Sequence, residues 1–208
     1  MGEALLISLK LSLITTALLL TISIPMAYAL AFREFALKSL IEALVLSPIV
    51  LPPTVLGFYL LSLMEMTVQT IAFTFNALVL ASVIYSLPFG VFPIKEAFLS
   101  VPKRYVEIAY VFGYSPLETF LRVILPNSVG GIIGASALIF SHTMGEFGIV
   151  LMVGGNVPGE TRTLSIYIYD EVQALNYREA YKASLVLLSA SLVSLLLILM
   201  VRKRWKRA

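Results

Sequence analysis

Apolar residues dominate this chain in five long runs, and the polar positions fall mainly between them. Ala4 to Phe32 carries Lys10 as its one charge and, at about 1.5 Å per residue, is long enough to cross a hydrocarbon core of roughly 30 Å. An A-x-A pair, Ala27 and Ala29, would suit a signal peptide, but no basic cluster precedes the run and the run is too long, so a retained span is expected, kinked by Pro25. After the polar turn of Arg33, Glu34 and Lys38, a second span from Ser39 to Met64 is interrupted by Pro48 and by Pro52 and Pro53. Helix does not pass undisturbed through such a pair, and freed backbone groups at membrane depth survive where protein or a wet cavity satisfies them. Pro52, Pro53 and Thr54 are therefore candidate lining residues, with a structural kink as the alternative, and Gly57 offers a point of close approach.

A polar loop from Glu65 to Thr70 leads to a third span, about Ile71 to Ile94, predicted to break around Pro88 and Gly90. A fourth is expected from Pro126 to about Val153, with Gly130, Gly131, Gly134, Ala135 and Ser136 as a small-residue packing face. The fifth runs from about Tyr181 to Val201, before the basic end R-K-R-W-K-R.

Between the third and fourth spans the pattern changes. Ser115, Pro116 and Glu118 spell a capping box with proline at the first helical position. The helix they start carries Leu117, Phe120, Leu121 and Ile124 on one stripe and is predicted to end at Pro126. Gly113 closes an earlier helix that begins near Pro102 and presents Tyr105, Ile108, Ala109 and Phe112 on one face. Periodicity alone fits either a docking element or a loop lying on the membrane surface.

Composition agrees with a membrane protein: 208 residues, 59% hydrophobic, 13% charged, mean hydropathy +0.94. The formal charge of +3 does not point to nucleic acid, because the basic residues sit at span ends. If the charged loop is cytoplasmic, so are Arg33, Lys38, Lys95, Lys103, Arg104, Arg122 and the cluster from Arg202 to Arg207, leaving chiefly Arg162, Arg178 and Lys182 outside. Five spans with the N-terminus out and the C-terminus in satisfy that bias. No linker divides residues 1–208, so a single transmembrane domain is expected. The chain has no cysteine and one histidine, His142, which excludes disulfides, thiolate sites and multi-histidine metal sites.

Glu107, Ala109, Gly113, Val123, Leu125 and Pro126 stand where the EAA motif of ABC-importer permeases has its glutamate, second alanine, glycine, isoleucine, leucine and proline. Ile108 for the first alanine and Val123 for the isoleucine are apolar departures. The chain resembles that family, and the resemblance implies an all-helical type I importer permease. Its loop, about residues 98–126, would dock on an ATPase subunit through Arg104, Glu107, Ala109, Gly113, Tyr114, Ser115, Leu125 and Pro126.

Further along, L-P-P-T-V-L-G-F at 51–58, G-E-F-G at 145–148 and P-G-E-T-R-T at 158–163 resemble the molybdate-transport permeases. G-E-F-G suits sulfate permeases too, so the preference for molybdate or tungstate leans on P-G-E-T-R-T. The resemblance implies a homodimer in a prokaryotic plasma membrane, two ATPase subunits holding ATP and Mg, and an extracytoplasmic oxyanion-binding protein. No cofactor and no catalytic residue are expected on this chain. Gly154 and Gly159 have P-loop spacing, but Glu160 stands where lysine would be required. A membrane-embedded enzyme or a secondary transporter is the alternative from another class.

Glu146 is the most informative ionisable residue. A straight helix from Pro126 would carry it about 30 Å, near the outer boundary of the membrane core. Facing lipid it would cost on the order of 2.5 to 3.5 kcal/mol or more, so it should face protein or a wet cavity. It is expected to be either a gate residue tied to Arg162 or backbone amides, or a buried structural hydrogen-bonding group. His142, one turn earlier, is expected to pack and hydrogen-bond. Gly159, Thr161 and Arg162 join the candidate path or gate set, and Tyr167 and Tyr169 either line a mouth or anchor at the interface.

Overall fold

The computed structural model describes residues 1–67 and 71–205. Its regular elements are all helical: α1 (Gly2–Phe32), α2 (Lys38–Val50), α3 (Pro53–Thr67), α4 (Phe75–Leu99), α5 (Lys103–Val111), α6 (Pro116–Thr119), a π-helical stretch (Phe120–Ile124), α7 (Leu125–Gly145), α8 (Gly148–Gly154), α9 (Leu164–Gln173) and α10 (Tyr177–Trp205). α1, α4 and α7 pack against one another as the centre of the bundle. α2 lies on α4, α3 on α8, and α10 on α7 and α9. Leu11, Leu78, Ile149, Val150 and Ile166 fill one end of the core, and Ala27, Ile94, Phe98, Ile124 and Ala135 the other.

Among the described residues four helical runs are long and apolar enough to cross a membrane, and the pair α2 and α3, bent by 113° at the break, makes a fifth if counted as one span. The bend comes at Pro52, as the proline pair requires, whereas Pro48 lies inside α2. α2 is also tied to α4 by an ion pair, Lys95 Nζ to Glu42 Oε1 at 2.5 Å.

Several boundaries differ from the sequence expectation. α4 does not break at Pro88 and Gly90. It is continuous through Pro88 and Pro93, because this stretch is wedged into the core, where Pro88, Gly90 and Val91 are buried. The bare Cα of Gly90 admits the Ser23 hydroxyl of α1, which a Cβ there would overlap. The helix also starts later than Ile71, with Thr74 as N-cap, and runs on to Leu99. Pro25, expected to kink α1 and not to end it, lies inside that helix.

Pro126 does not end the loop helix either. Helical structure is continuous from Pro116 to Gly145. The π-helical stretch absorbs the proline: the Leu125 amide bonds the Phe120 carbonyl, widening the turn just where the proline offers no amide. That span ends at Gly145, and Gly148 to Val153 belong to the separate α8. α10 begins at Tyr177, earlier than expected. Glu65 belongs to α3, while 68–70 of the expected polar loop and Lys206, Arg207 and Ala208 of the basic end lie outside the described residues.

Gly131 meets Ala97 where α7 crosses α4, so closely that a Cβ would overlap the alanine methyl. With buried Ala135 one turn on, this supports the expected small-residue face.

Candidate functional site

The charged loop is built as its local code dictates. α5 closes in a Schellman turn: the Tyr114 amide bonds the Ala109 carbonyl and the Gly113 amide the Tyr110 carbonyl, both at 3.0 Å, with Gly113 at φ +81°. Ser115 and Glu118 complete a reciprocal capping box. The Ser115 amide donates to Glu118 Oε2 at 2.9 Å, and the Glu118 amide to Ser115 Oγ at 3.3 Å. Arg122 lies over the Tyr114 ring, 5.5 Å from its centroid. Phe120 anchors the joint, edge-on to both Tyr28 and Phe98.

One expectation here is corrected. The stripe Leu117, Phe120, Leu121 and Ile124 does not stay on one face, since the wider π-helical turn rotates its members apart. Phe120 and Ile124 pack inward, while Leu117 and Leu121 are exposed. On α5 Ala109 is buried, and Arg104 and Glu107 are exposed. The loop therefore presents bare apolar side chains: Val111 is 86%, Phe112 77% and Leu117 66% exposed, with Tyr105 and Ile108 beside them. A patch of this kind at the end of a membrane bundle is suited to a protein partner.

The Glu118 carboxyl is held below its ordinary range, first by the Ser115 backbone hydrogen bond, then by the Ser115 hydroxyl, with a smaller contribution from Arg122. The folded value is the lower one, so the cap is fully formed above the unfolded carboxylate range and is lost as pH falls through the lowered value. Ser115→Ala, which removes one cap, should weaken the helix start by about 1 kcal/mol. Hydrogen exchange at the amides of residues 117–119 should accelerate accordingly, while exchange in α5 stays as it was.

The second region is a cavity of about 610 Å³ lined by the start of α3 (Pro53, Thr54), Tyr85 of α4, the end of α7 (Ser141, His142, Gly145) and Glu146, Phe147 and Gly148. Glu146 caps α7 and is 4% exposed. Its carboxylate accepts from Ser82 Oγ at 2.5 Å and from Ser86 Oγ at 2.7 Å, and its main-chain carbonyl accepts from the Ser165 hydroxyl. His142 Nδ1 is 2.9 Å from Ser86 Oγ and 3.4 Å from Glu146 Oε1. The imidazole stacks on Phe89 and lies beside Tyr85.

Of the residues proposed from sequence for a path or gate, Pro53, Thr54 and Glu146 share this cavity, with exposed Pro52 next to it. Glu146 is not tied to Arg162. Arg162 Nε donates to Asn156 Oδ1 at 2.8 Å and lies 3.4 Å from Asp170 Oδ2. Gly159, at φ +79°, and Arg162 line a separate small cavity with Met1, Glu3 and Tyr167. Thr161 is fully buried beneath that loop, donating to the Gly154 carbonyl at 2.6 Å and accepting from the Val157 amide at 2.8 Å. Tyr167 and Tyr169 sit on helix α9, with Tyr169 5.1 Å from the Phe147 ring.

Ser82, Ser86, Ser165 and Tyr85 were not singled out from sequence. A signal was there: Ser82 and Ser86 are one turn apart in an apolar helix, and so are His142 and Glu146 at the end of another.

Residues 13–205 match the family described as "Binding-protein-dependent transport system inner membrane component". The chain is 45% identical over 186 residues to the molybdenum transport system permease protein ModB of Azotobacter vinelandii, covering 84% of this chain and 82% of that protein. It is 30% identical over 192 residues to the sulfate transport system permease protein CysT of Salmonella typhimurium, covering 88% and 69%. Among solved structures it resembles a chain of the MetNI methionine ABC transporter in an inward-facing conformation, with a TM-score of 0.82, 16% identity and coverage of 98% and 95%.

Proposed function

The chain belongs to the family of binding-protein-dependent transport system inner membrane components, and from that premise we infer that it is the permease subunit of an ATP-driven importer of molybdate. The observation that carries the substrate class is the similarity to ModB along most of both chains. The sulfate permease is more distant, which places sulfate second. Tungstate shares the charge and shape of molybdate and belongs to the same substrate class.

The functional unit in this reading is a twofold pair of permeases, with one ATPase subunit under each copy and a binding protein delivering the anion from outside. The apolar patch of Val111, Phe112 and Leu117 supports an ATPase partner, since it is aligned by two capped helices and covered by nothing among the described residues. Two copies supply two such patches, matching the two nucleotide sites expected of an ATPase dimer. Energy reaches the membrane mechanically. Movement of the loop is transmitted through the continuous run from Pro116 to Gly145, whose far end carries His142 and leads into Glu146 and the cavity.

The anion is tested by purifying the associated binding protein and identifying its bound ligand by mass spectrometry. Molybdate or tungstate is expected; sulfate as the sole ligand would move the chain to the second substrate, and an organic ligand would overturn the reading.

Orientation follows from the basic residues: N-terminus outside, C-terminus inside. Cysteine at Gly155 would place its Cβ 2.6 Å from Phe73, so exposed Glu160 is the better outer reporter. Glu160→Cys should react with an impermeant maleimide in intact cells, and Glu34→Cys only after lysis. Labelling of both from one side would contradict five spans.

A further inference from the structure

We infer that His142 is the residue through which the permease holds its oxyanion, presenting Nε2–H to the cavity from an imidazolium that Glu146 balances from behind. The inference rests on the oxyanion-importer reading and deepens it. It begins with a difficulty: the large cavity is lined by a carboxylate, and a carboxylate repels a dianion. The hydrogen bonds resolve this. Both carboxylate oxygens are already engaged, by Ser82 and Ser86, and the Glu146 side chain is 1% exposed against 23% for His142. The cavity therefore meets the imidazole edge, with the negative charge placed behind it.

Proton counting fixes the ring. Ser86 has one hydroxyl proton, given to Glu146 Oε1. Toward His142 Nδ1, 2.9 Å away, Ser86 Oγ can then only accept, so Nδ1 carries a proton. Thr143 Oγ1, 3.2 Å from the same oxygen, donates to its second lone pair. With Nδ1–H committed, Nε2 is the ring nitrogen left for the cavity. It donates to an anion only when the ring is doubly protonated, the second proton coming from solvent. Phe89 stacked on the ring, with a centroid distance of 4.1 Å, fixes its plane, and Thr54 brings a further hydroxyl to the cavity wall, whereas the Ser141 proton is committed to Ser194 Oγ, whose own proton goes to the Ser191 carbonyl. Besides His142 and Glu146, Tyr85 is the one titratable residue lining this cavity among the described residues.

The test uses the absence of cysteine from the chain. Gly145 lines the cavity, and a Cβ built there meets nothing within 4 Å, so Gly145→Cys is a reporter with room for its side chain. In the assembled transporter without binding protein, titrated molybdate should slow alkylation of this cysteine, roughly tenfold once the anion reaches about ten times its dissociation constant. Two substitutions at His142 then separate structure from recognition. His142→Asn keeps a donor where Nδ1 stands, and His142→Gln keeps one where Nε2 stands. A purely structural role predicts that Asn behaves better than Gln. Anion recognition predicts the reverse, with protection retained in H142Q and lost in H142N. Protection in the parent should also fall as the pH is raised, while that in H142Q, whose amide does not titrate, should not. Equal protection in H142N and the parent, protection that ignores pH in the parent, or no protection by any oxyanion would overturn the inference. Failure of the importer reading shows separately, as a wild-type complex with binding protein that takes up no molybdate.

Discussion

Replacing Gly113 by valine should uncouple the transporter while leaving the membrane bundle intact. Gly113 sits at φ +81° in the Schellman turn, a conformation a β-branched residue adopts only at a cost of about 1–2 kcal/mol. Open space surrounds the position, with nothing within 4 Å of a built Cβ, so the effect is conformational and not a clash. That energy lowers the population of correctly aimed loop roughly 5- to 30-fold. α1, α4 and α7 pack without using this turn, so insertion and yield should hold. Stimulated ATP hydrolysis, or copurification of the ATPase subunit, should fall by a comparable factor. Gly113→Asn is the control, because asparagine tolerates the left-handed region and should recover much of the loss. Ser115→Ala should be milder than the valine. Normal coupling in Gly113→Val would mean that the turn does not aim the docking patch.

Replacing Glu146 by alanine should show first in stability. The substitution strands the buried Ser82 Oγ, whose partner is the carboxylate, and takes one acceptor from Ser86 Oγ, which keeps His142 and Thr143 beside it. A stranded buried hydroxyl costs about 1–3 kcal/mol. In a chain of this length each kcal/mol corresponds to a midpoint shift of about 2–4 °C. Glu146→Ala should therefore melt several degrees lower in detergent, and adding Ser82→Ala should return part of the loss, since the hydroxyl left without its carboxylate partner is then gone. Glu146→Gln keeps an acceptor in place and should melt nearer to the parent. It removes the charge behind His142, however, so its main defect should lie in coupled transport. An unchanged melting midpoint in Glu146→Ala would show that these hydroxyls find other partners and that the α4–α7 joint does not depend on the carboxylate.

What could be read in advance divides along a physical line. The capping box at Ser115, the turn at Gly113 and the break at Pro52 and Pro53 are local, each fixed by a few neighbouring residues, and each is found where the residues imply it. Pro126 and Pro88 were misjudged because a proline ends a helix only when nothing compensates. At Pro126 a π-helical turn compensates, and at Pro88 dense packing holds the helix on course. The surroundings of Glu146 were legible only in part. Its burial follows from the cost of leaving a charge in lipid. Its partners lie about sixty positions away in the chain, on a helix face that no local rule connects to it. Arg162 looked a natural partner by charge alone, yet Asn156 and Asp170 in its own loop region satisfy it first.

The most direct measurement of the central claim is molybdate uptake into liposomes holding this permease with its ATPase subunit, with the binding protein added outside. Uptake should require ATP hydrolysis and loaded binding protein together, should stop when either is withheld, and should fall roughly 5- to 30-fold when Gly113 is replaced by valine. Molybdate entry that proceeds at the full rate without ATP would contradict the account and make this chain a passive channel or secondary transporter.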